Sequence, residues 1–281
     1  MQAAQAHAQL DALDRQARHA DTPAAPQGRM VWRSWGAGPP LVLLHGGAGS
    51  WMHWVRNIEA LGRIRTLWVP DLPGFGESDL PREGLDADSI APIVLEGLRT
   101  LLGGARFDLL GFSFGSLVAS FMAQQAADAV RCLLLAGATG LGIHVGPRQA
   151  LRPLRGITDS AEREAVLRFN LSVMMVHDPA RIDALAVAVQ DRSAQRDRVR
   201  NRVVARSDAL LRLAPQWRCP VYGIWGANDS IRLRDAAAFD AATDQLPLRE
   251  KHIVPHAGHW VQFEADAAFN ALAQRLLAAP A

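Results

Sequence analysis

Apolar and polar positions follow two rhythms along this chain. Short, nearly continuous apolar runs recur at Leu41–Leu44, Phe107–Leu110, Val130–Leu135 and Pro220–Trp225. Such runs are expected of strands covered on both faces, as in a parallel sheet. Between and after them lie Ala- and Leu-rich stretches that read as helices: Val55–Leu61, Ser89–Leu102, Ser116–Ala123 and Ala267–Leu277. Pro92 falls in the first turn of its predicted helix, where proline is tolerated. Arg65–Val69 and Arg249–Val254 read as further strands, and Met30–Trp35, which alternates only loosely, as an edge strand. This alternation predicts βαβ units: an α/β fold with a mostly parallel central sheet flanked by helices.

The rhythm is broken in two places. Residues 2–20 read as a helix with Leu10 and Leu13 on one face, ended by the Pro- and Gly-containing stretch Asp21–Gly28. Residues 1–28 are therefore expected to form an appendage ahead of the domain. Between 142 and 214 no strand-like run occurs, while Ala161–Met175 and Arg181–Val189 look helical. That segment is expected to be a helical cap inserted after the sixth core strand, with the core built from 29–141 and 215–281.

Composition narrows the function classes. A chain of 281 residues, 49% hydrophobic and 21% charged, has ordinary globular composition and can bury one large core. The net charge is only +2, and the one basic cluster, Arg192–Arg206, reads as a solvated helix face rather than a nucleic-acid surface. Cys132 and Cys219 lie in or beside apolar runs and read as buried free thiols, not as a disulfide frame or a metal site. Asp11, Asp14 and Arg15 interrupt the Ala-rich start, so a secretion signal is not expected, and no run is long enough for membrane insertion. The expected setting is the cytoplasm. The expected partner is a small-molecule substrate, with no cofactor, metal or nucleic acid; a homo-oligomer stays open.

The chemistry centres on Gly111-Phe112-Ser113-Phe114-Gly115, set between a predicted strand and a predicted helix. A serine between two glycines on such a turn is the nucleophile-elbow pattern; the small residues let strand and helix pass closely. A plain helix-capping serine is the bland alternative. A hydroxyl attacks only when a base takes its proton and an acid orients that base. Asp229 ends the run Pro220–Trp225 in a turn, and His256 and His259 both follow the last strand. The order serine, aspartate, histidine suits an elbow serine. Trp51, Trp54 and Trp260 suit a pocket wall or the core equally well.

These motifs resemble the α/β-hydrolase fold superfamily, in its serine-nucleophile branch. The resemblance rests on His45-Gly46-Gly47, Asp71-x-Pro73-Gly74-x-Gly76-x-Ser78, Gly111-x-Ser113-x-Gly115, Gly226-x-x-Asp229 and Gly258-His259-Trp260. It implies Ser113 as nucleophile, His259 rather than His256 as base, Asp229 as orienting acid, and an oxyanion hole from the amides of Gly47 and Phe114. His45 is expected to brace the oxyanion loop, and Asp71 and Ser78 to be structural. The nearest look is to the carbon–carbon hydrolases of meta-cleavage products and to related carboxylesterases. Those hydrolases usually carry asparagine where this chain has Phe112, and another where it has His53. Arg192 is the nearest counterpart of their lid arginine. With Trp260, these residues are the candidate substrate pocket. An ester or lactone hydrolase is the expected activity; carbon–carbon hydrolysis, perhydrolysis and a non-catalytic receptor on the same fold are the alternatives.

Overall fold

Leu41 to Leu44 are all fully buried, and they divide between two core layers. Leu41 and Leu43 join one layer, Val42 and Leu44 the other. A strand with both faces covered has no room for polar alternation. In the computed structural model, which describes residues 1–143, 150–199 and 202–278, this strand lies inside one large sheet. Among the described residues the strands are β1 (Arg18–Pro23), β2 (Arg29–Trp35), β3 (Pro40–Leu44), β4 (Thr66–Pro70), β5 (Phe107–Phe112), β6 (Val130–Ala136), β7 (Val221–Gly226) and β8 (Leu248–Val254). They lie in the order β1-β2-β4-β3-β5-β6-β7-β8. The joints β1–β2 and β2–β4 are antiparallel, and the others parallel.

The helices are α1 (Gln2–Arg15), α2 (Ile58–Gly62), α3 (Ala87–Leu102), α4 (Phe114–Gln125), α5 (Ser160–Met174), α6 (Ala184–Ala194), α7 (Ala209–Leu213), α8 (Ala236–Thr243), α9 (Val261–Glu264) and α10 (Asp266–Ala278). One layer receives Ile90, Val94 and Leu98 of α3 with Leu117 and Met122 of α4; the other receives Leu61 of α2 and Phe269 and Leu276 of α10. Asp86 and Ser89 form a reciprocal cap at the start of α3, and Gly103 ends it with φ of 57°. This cap starts α3 two residues before the sequence places it. Pro92 therefore sits beyond the first turn, where its ring leaves the Asp88 carbonyl without a helical donor.

Residues 1–28 are no appendage. β1 pairs with β2 from Arg18 opposite Ser34 to Pro23 opposite Arg29, so Met30–Trp35 is an inner strand and not an edge. Leu10 of α1 is fully buried, and the Trp35 indole donates to the Leu13 carbonyl at 3.2 Å. β1 is the sheet edge and keeps most of its side chains exposed. Its text is accordingly polar (Arg18, His19, Asp21) and carries no apolar period, which is why it passes for the end of a helix.

Between β6 and β7 the described residues hold α5, α6 and α7 and no strand. Residues 144–149 and 200–201 of the expected cap lie outside the described residues. The Arg192–Arg206 cluster is not a solvated helix face. α6 ends at Ala194, and beyond it Arg198 turns inward, its guanidinium bonding the carbonyls of Gly74, Gly76 and Ser78. Cys132 and Cys219 are free, and burial pushes their thiols up to about 12 and about 11. Among the described residues no helix is long and apolar enough to cross a membrane.

Candidate active site

Ser113 sits between β5 and α4 with φ of 52° and ψ of −117°, a left-handed conformation that costs a non-glycine residue on the order of 1–3 kcal/mol. The flanking glycines make the turn sterically feasible. A Cβ on Gly111 would lie 2.4 Å from the Gly115 carbonyl oxygen, and one on Gly115 would lie 2.4 Å from that of Leu44. The tight turn brings the serine to the carboxyl edge of the sheet, at the head of α4. Phe114 is the first residue of α4, so its N–H has no carbonyl one turn back to bond.

Asp229 and His259 arrive from neighbouring strand ends. The turn after β7 is pinned by the Asn228 amide, which donates to the Ala257 carbonyl at 2.8 Å, and a Cβ on Gly226 would collide with that same carbonyl at 2.2 Å. Asp229, fully buried, uses Oδ1 to accept from the Ile231 amide at 2.8 Å and Oδ2 to accept from His259 Nδ1 at 2.9 Å. A carboxylate accepts only, so the proton is on Nδ1. His259 Nε2 is then an acceptor, and it faces the Ser113 hydroxyl at 2.9 Å. His256 lies on the surface with φ of 55° and takes no part.

The histidine loop is held by a residue that sequence reasoning missed. Glu264, 4% exposed, accepts from the backbone amides of Gly258 and Asp178 at 2.6 Å each and of His177 at 3.0 Å. The Trp260 amide donates to the Met175 carbonyl at 2.7 Å. The chain beside His259 is thus fastened to the end of α5. A glutamate five residues after the histidine has no motif around it to betray this role.

The loop His45-Gly46-Gly47 is braced from below. The Leu72 amide donates to His45 Nε2 at 2.9 Å, so His45 carries its proton on Nδ1 and donates it to the Gly46 carbonyl at 2.8 Å. Asp71 accepts from the amides of Trp51 and Glu77 and from buried Arg33, which also reaches Asp14 of α1. Ser78 bridges the Val31 amide to the Asp71 carbonyl.

A cavity of about 380 Å³ opens over Ser113 and His259, and Gly47, Phe112 and Phe114 line it. The other candidate pocket residues do not reach it. Trp260 is fully buried, stacks on Phe263 with centroids 4.1 Å apart, and donates to the His53 carbonyl at 3.1 Å. His53 packs against Phe112 and Trp260 and accepts from the Gly46 amide at 3.2 Å. Arg192 is drawn away to α1, where it donates to His7 at 2.9 Å and Asp11 at 2.7 Å. Among the described residues the cations that do line the cavity are Arg202 and Arg206. Their four-residue spacing resembles a helix face, and that concealed them.

Burial pushes the His45 imidazole below its ordinary value of 6.5 and pushes His53 well below it, with nearby His45 and His259 adding to the latter. Both are neutral in the native protein over a range where the unfolded chain takes up protons. Stability is therefore present in full above the unfolded value and falls as pH drops below it. The melting temperature should decline from about pH 7.5 to about pH 5.5, and less steeply in His53→Asn. A flat or rising profile in the native protein would contradict this account.

A strained elbow serine joined through histidine to aspartate, at the carboxyl edge of a largely parallel sheet, has the arrangement that a hydrolase nucleophile site requires. The chain belongs to the alpha/beta hydrolase family, which residues 41–272 match. It is 31% identical over 265 residues to the 2-hydroxy-6-oxononadienedioate/2-hydroxy-6-oxononatrienedioate hydrolase of Paraburkholderia phymatum, covering 86% of the chain and 88% of that relative. It is 30% identical over 262 residues to the dihydrolipoyllysine-residue acetyltransferase component of the acetoin cleaving system of Pseudomonas putida. That match covers 86% of the chain but only 63% of the relative's length. Among solved structures, an esterase from Rhodococcus sp. ECU1013 superposes with a TM-score of 0.75 at 24% identity, covering 95% of the chain and all of that protein. This last likeness speaks to the fold.

Proposed function

We propose that the protein is a serine hydrolase of small carboxylic esters or lactones that works through an acyl-enzyme. The observation that carries this reading is the relay Ser113 Oγ to His259 Nε2 and His259 Nδ1 to Asp229 Oδ2, both at 2.9 Å, with Ser113 lining the cavity. Ser113 Oγ attacks the carbonyl carbon as its proton passes to His259 Nε2. The negative charge moves to the carbonyl oxygen, which the amides of Gly47 and Phe114 receive. Losing one such donor typically costs about 3–4 kcal/mol of transition-state stabilisation. His259 then hands the proton to the leaving alkoxide. Water, deprotonated by the same nitrogen, releases the acid and restores the serine.

Residues 142–214 act in this reading as a helical cap over the core 29–141 and 215–281. Leu171 and Met174 of α5 and Gln190 of α6 line the cavity and would set the size of the acyl group. Carbon–carbon hydrolysis is the second reading, favoured by the name of the Paraburkholderia phymatum relative. Two residues weigh against it: Phe112 brings an apolar ring beside the nucleophile, and His53 does not line the cavity.

A fluorophosphonate probe should label Ser113 and leave Ser113→Ala unlabelled. A panel of short and medium esters, lactones and a meta-cleavage dienone acid should show turnover of the esters and little of the dienone. Labelling at Ser116 or Ser120 would overturn the nucleophile assignment. Brisk dienone cleavage with esters untouched would replace the ester reading by the carbon–carbon one.

A further inference from the structure

We propose that Arg202 and Arg206 form an anion subsite beside Ser113, so that the substrate is an ester or lactone carrying a free carboxylate. The word substrate rests on the hydrolase reading above; the binding itself does not.

Among the described residues the cavity wall contains these two arginines and no aspartate or glutamate. Arg202 lies directly on the oxyanion loop. A Cβ built on Gly47 would stand 3.2 Å from both its Cζ and its Nε, so the missing side chain at 47 is what admits the guanidinium. The guanidinium carbon is 5.4 Å from the ring centre of Phe75 and 5.9 Å from that of Phe114, the residue after the nucleophile. The charge is therefore held beside the reacting centre.

One corner of the Arg202 fork is already taken, since Nη2 pairs with Asp197, five residues back in the same segment. Its Nε is buried and meets no acceptor among the described residues. An unmet buried donor is costly, and a ligand carboxylate would satisfy it with the short, charge-assisted geometry that an arginine fork favours. Arg206 makes no ion pair among the described residues, so Asp197 alone does not balance the two cations. Thr139, also in the cavity wall, has a buried hydroxyl with no partner and adds another donor. Leu171, Met174, Met175 and Ile231 give the same cavity an apolar share. A ligand with one anionic and one apolar end fits both parts. Arg192, bound to α1, has no share in this subsite.

The test uses two pairs of esters matched in shape and differing in charge. In one pair the carboxylate is on the acyl side (p-nitrophenyl hemiglutarate against p-nitrophenyl pentanoate). In the other it is on the alcohol side (4-butanoyloxybenzoate against its methyl ester). Binding to Ser113→Ala by calorimetry requires no turnover. The charged member of at least one pair should bind about tenfold more tightly than its neutral mate. Adding Arg202→Gln should reduce that preference to about twofold or less, Arg206→Gln should reduce it in part, and Arg202→Lys should retain part of it. Thermal melts report whether each variant folds; if Arg202→Gln does not, Arg206→Gln and Arg202→Lys carry the test. No preference in either pair, or a preference that survives both glutamine variants, overturns the subsite. A charged ester that binds through Arg202 but is not hydrolysed by the native protein overturns the hydrolase reading alone.

Discussion

His259→Ala is expected to reduce ester turnover by roughly four to six orders of magnitude, while His256→Ala turns over esters at the native rate. The asymmetry follows from position. Among the described residues His259 Nε2 is the one imidazole nitrogen hydrogen-bonded to the Ser113 hydroxyl, and Asp229 holds it in the tautomer that accepts a proton. His256 is on the surface. In the proposed mechanism the three residues act as a unit, so Ser113→Ala and the double variant Ser113→Ala with His259→Ala should be hardly worse than His259→Ala alone. Asp229→Asn should cost on the order of ten-thousandfold, since an amide in place of the carboxylate favours the wrong tautomer and gives no stabilisation to the imidazolium. Steady-state kcat, with circular dichroism to confirm folding, decides the matter. A His259→Ala protein that still turns over esters, or a dead His256→Ala, would sink the assignment.

Glu264 carries the second large effect. Its carboxylate satisfies three backbone amides, and among the described residues no basic side chain pairs with it: Oε2 takes Gly258 and His177, and Oε1 takes Asp178. Glu264→Ala leaves those donors unmet in a nearly dry place and should cost about 3–5 kcal/mol of stability. Glu264→Gln is the more informative change, because it keeps the shape. Whichever way the amide is turned, its NH2 must face an N–H donor. The loop from Gly258 to Trp260 then loses part of its hold on the end of α5, and His259 with it. Misplacing a catalytic group by an ångström costs on the order of a hundredfold, so kcat should fall by roughly ten- to a hundredfold with KM little changed. Native kcat and melting temperature in Glu264→Gln would show that the clamp has no part in holding the histidine.

Much of this was legible in the residues themselves, because the governing constraints are local. A strand buried on both faces must be apolar throughout, so β3, β5, β6 and β7 could be found within a residue or two of their ends. An elbow serine needs glycines where backbone meets backbone, and the order Ser113, Asp229, His259 follows the sequence of strand ends. α2 was less legible. Trp51–Trp54 forms a separate 3-10 turn, and the helix itself begins only at Ile58, later than its apolar text suggests.

Tertiary structure alone decided the rest. β1 became the sheet's edge because β2 offered it a partner, and no apolar period records that pairing. His53 and Trp260 went into the core through their contacts with Phe112 and Phe263. Arg192 turned to His7 and Asp11, while Arg202 entered the cavity because Gly47 left space for it. Glu264 found its three amides on two separate loops. For the two arginines and the glutamate the physical reason is common. A backbone turn is specified by the few residues that make it, whereas a long charged side chain can reach several partners, and the fold alone determines which of them lies close enough to bond.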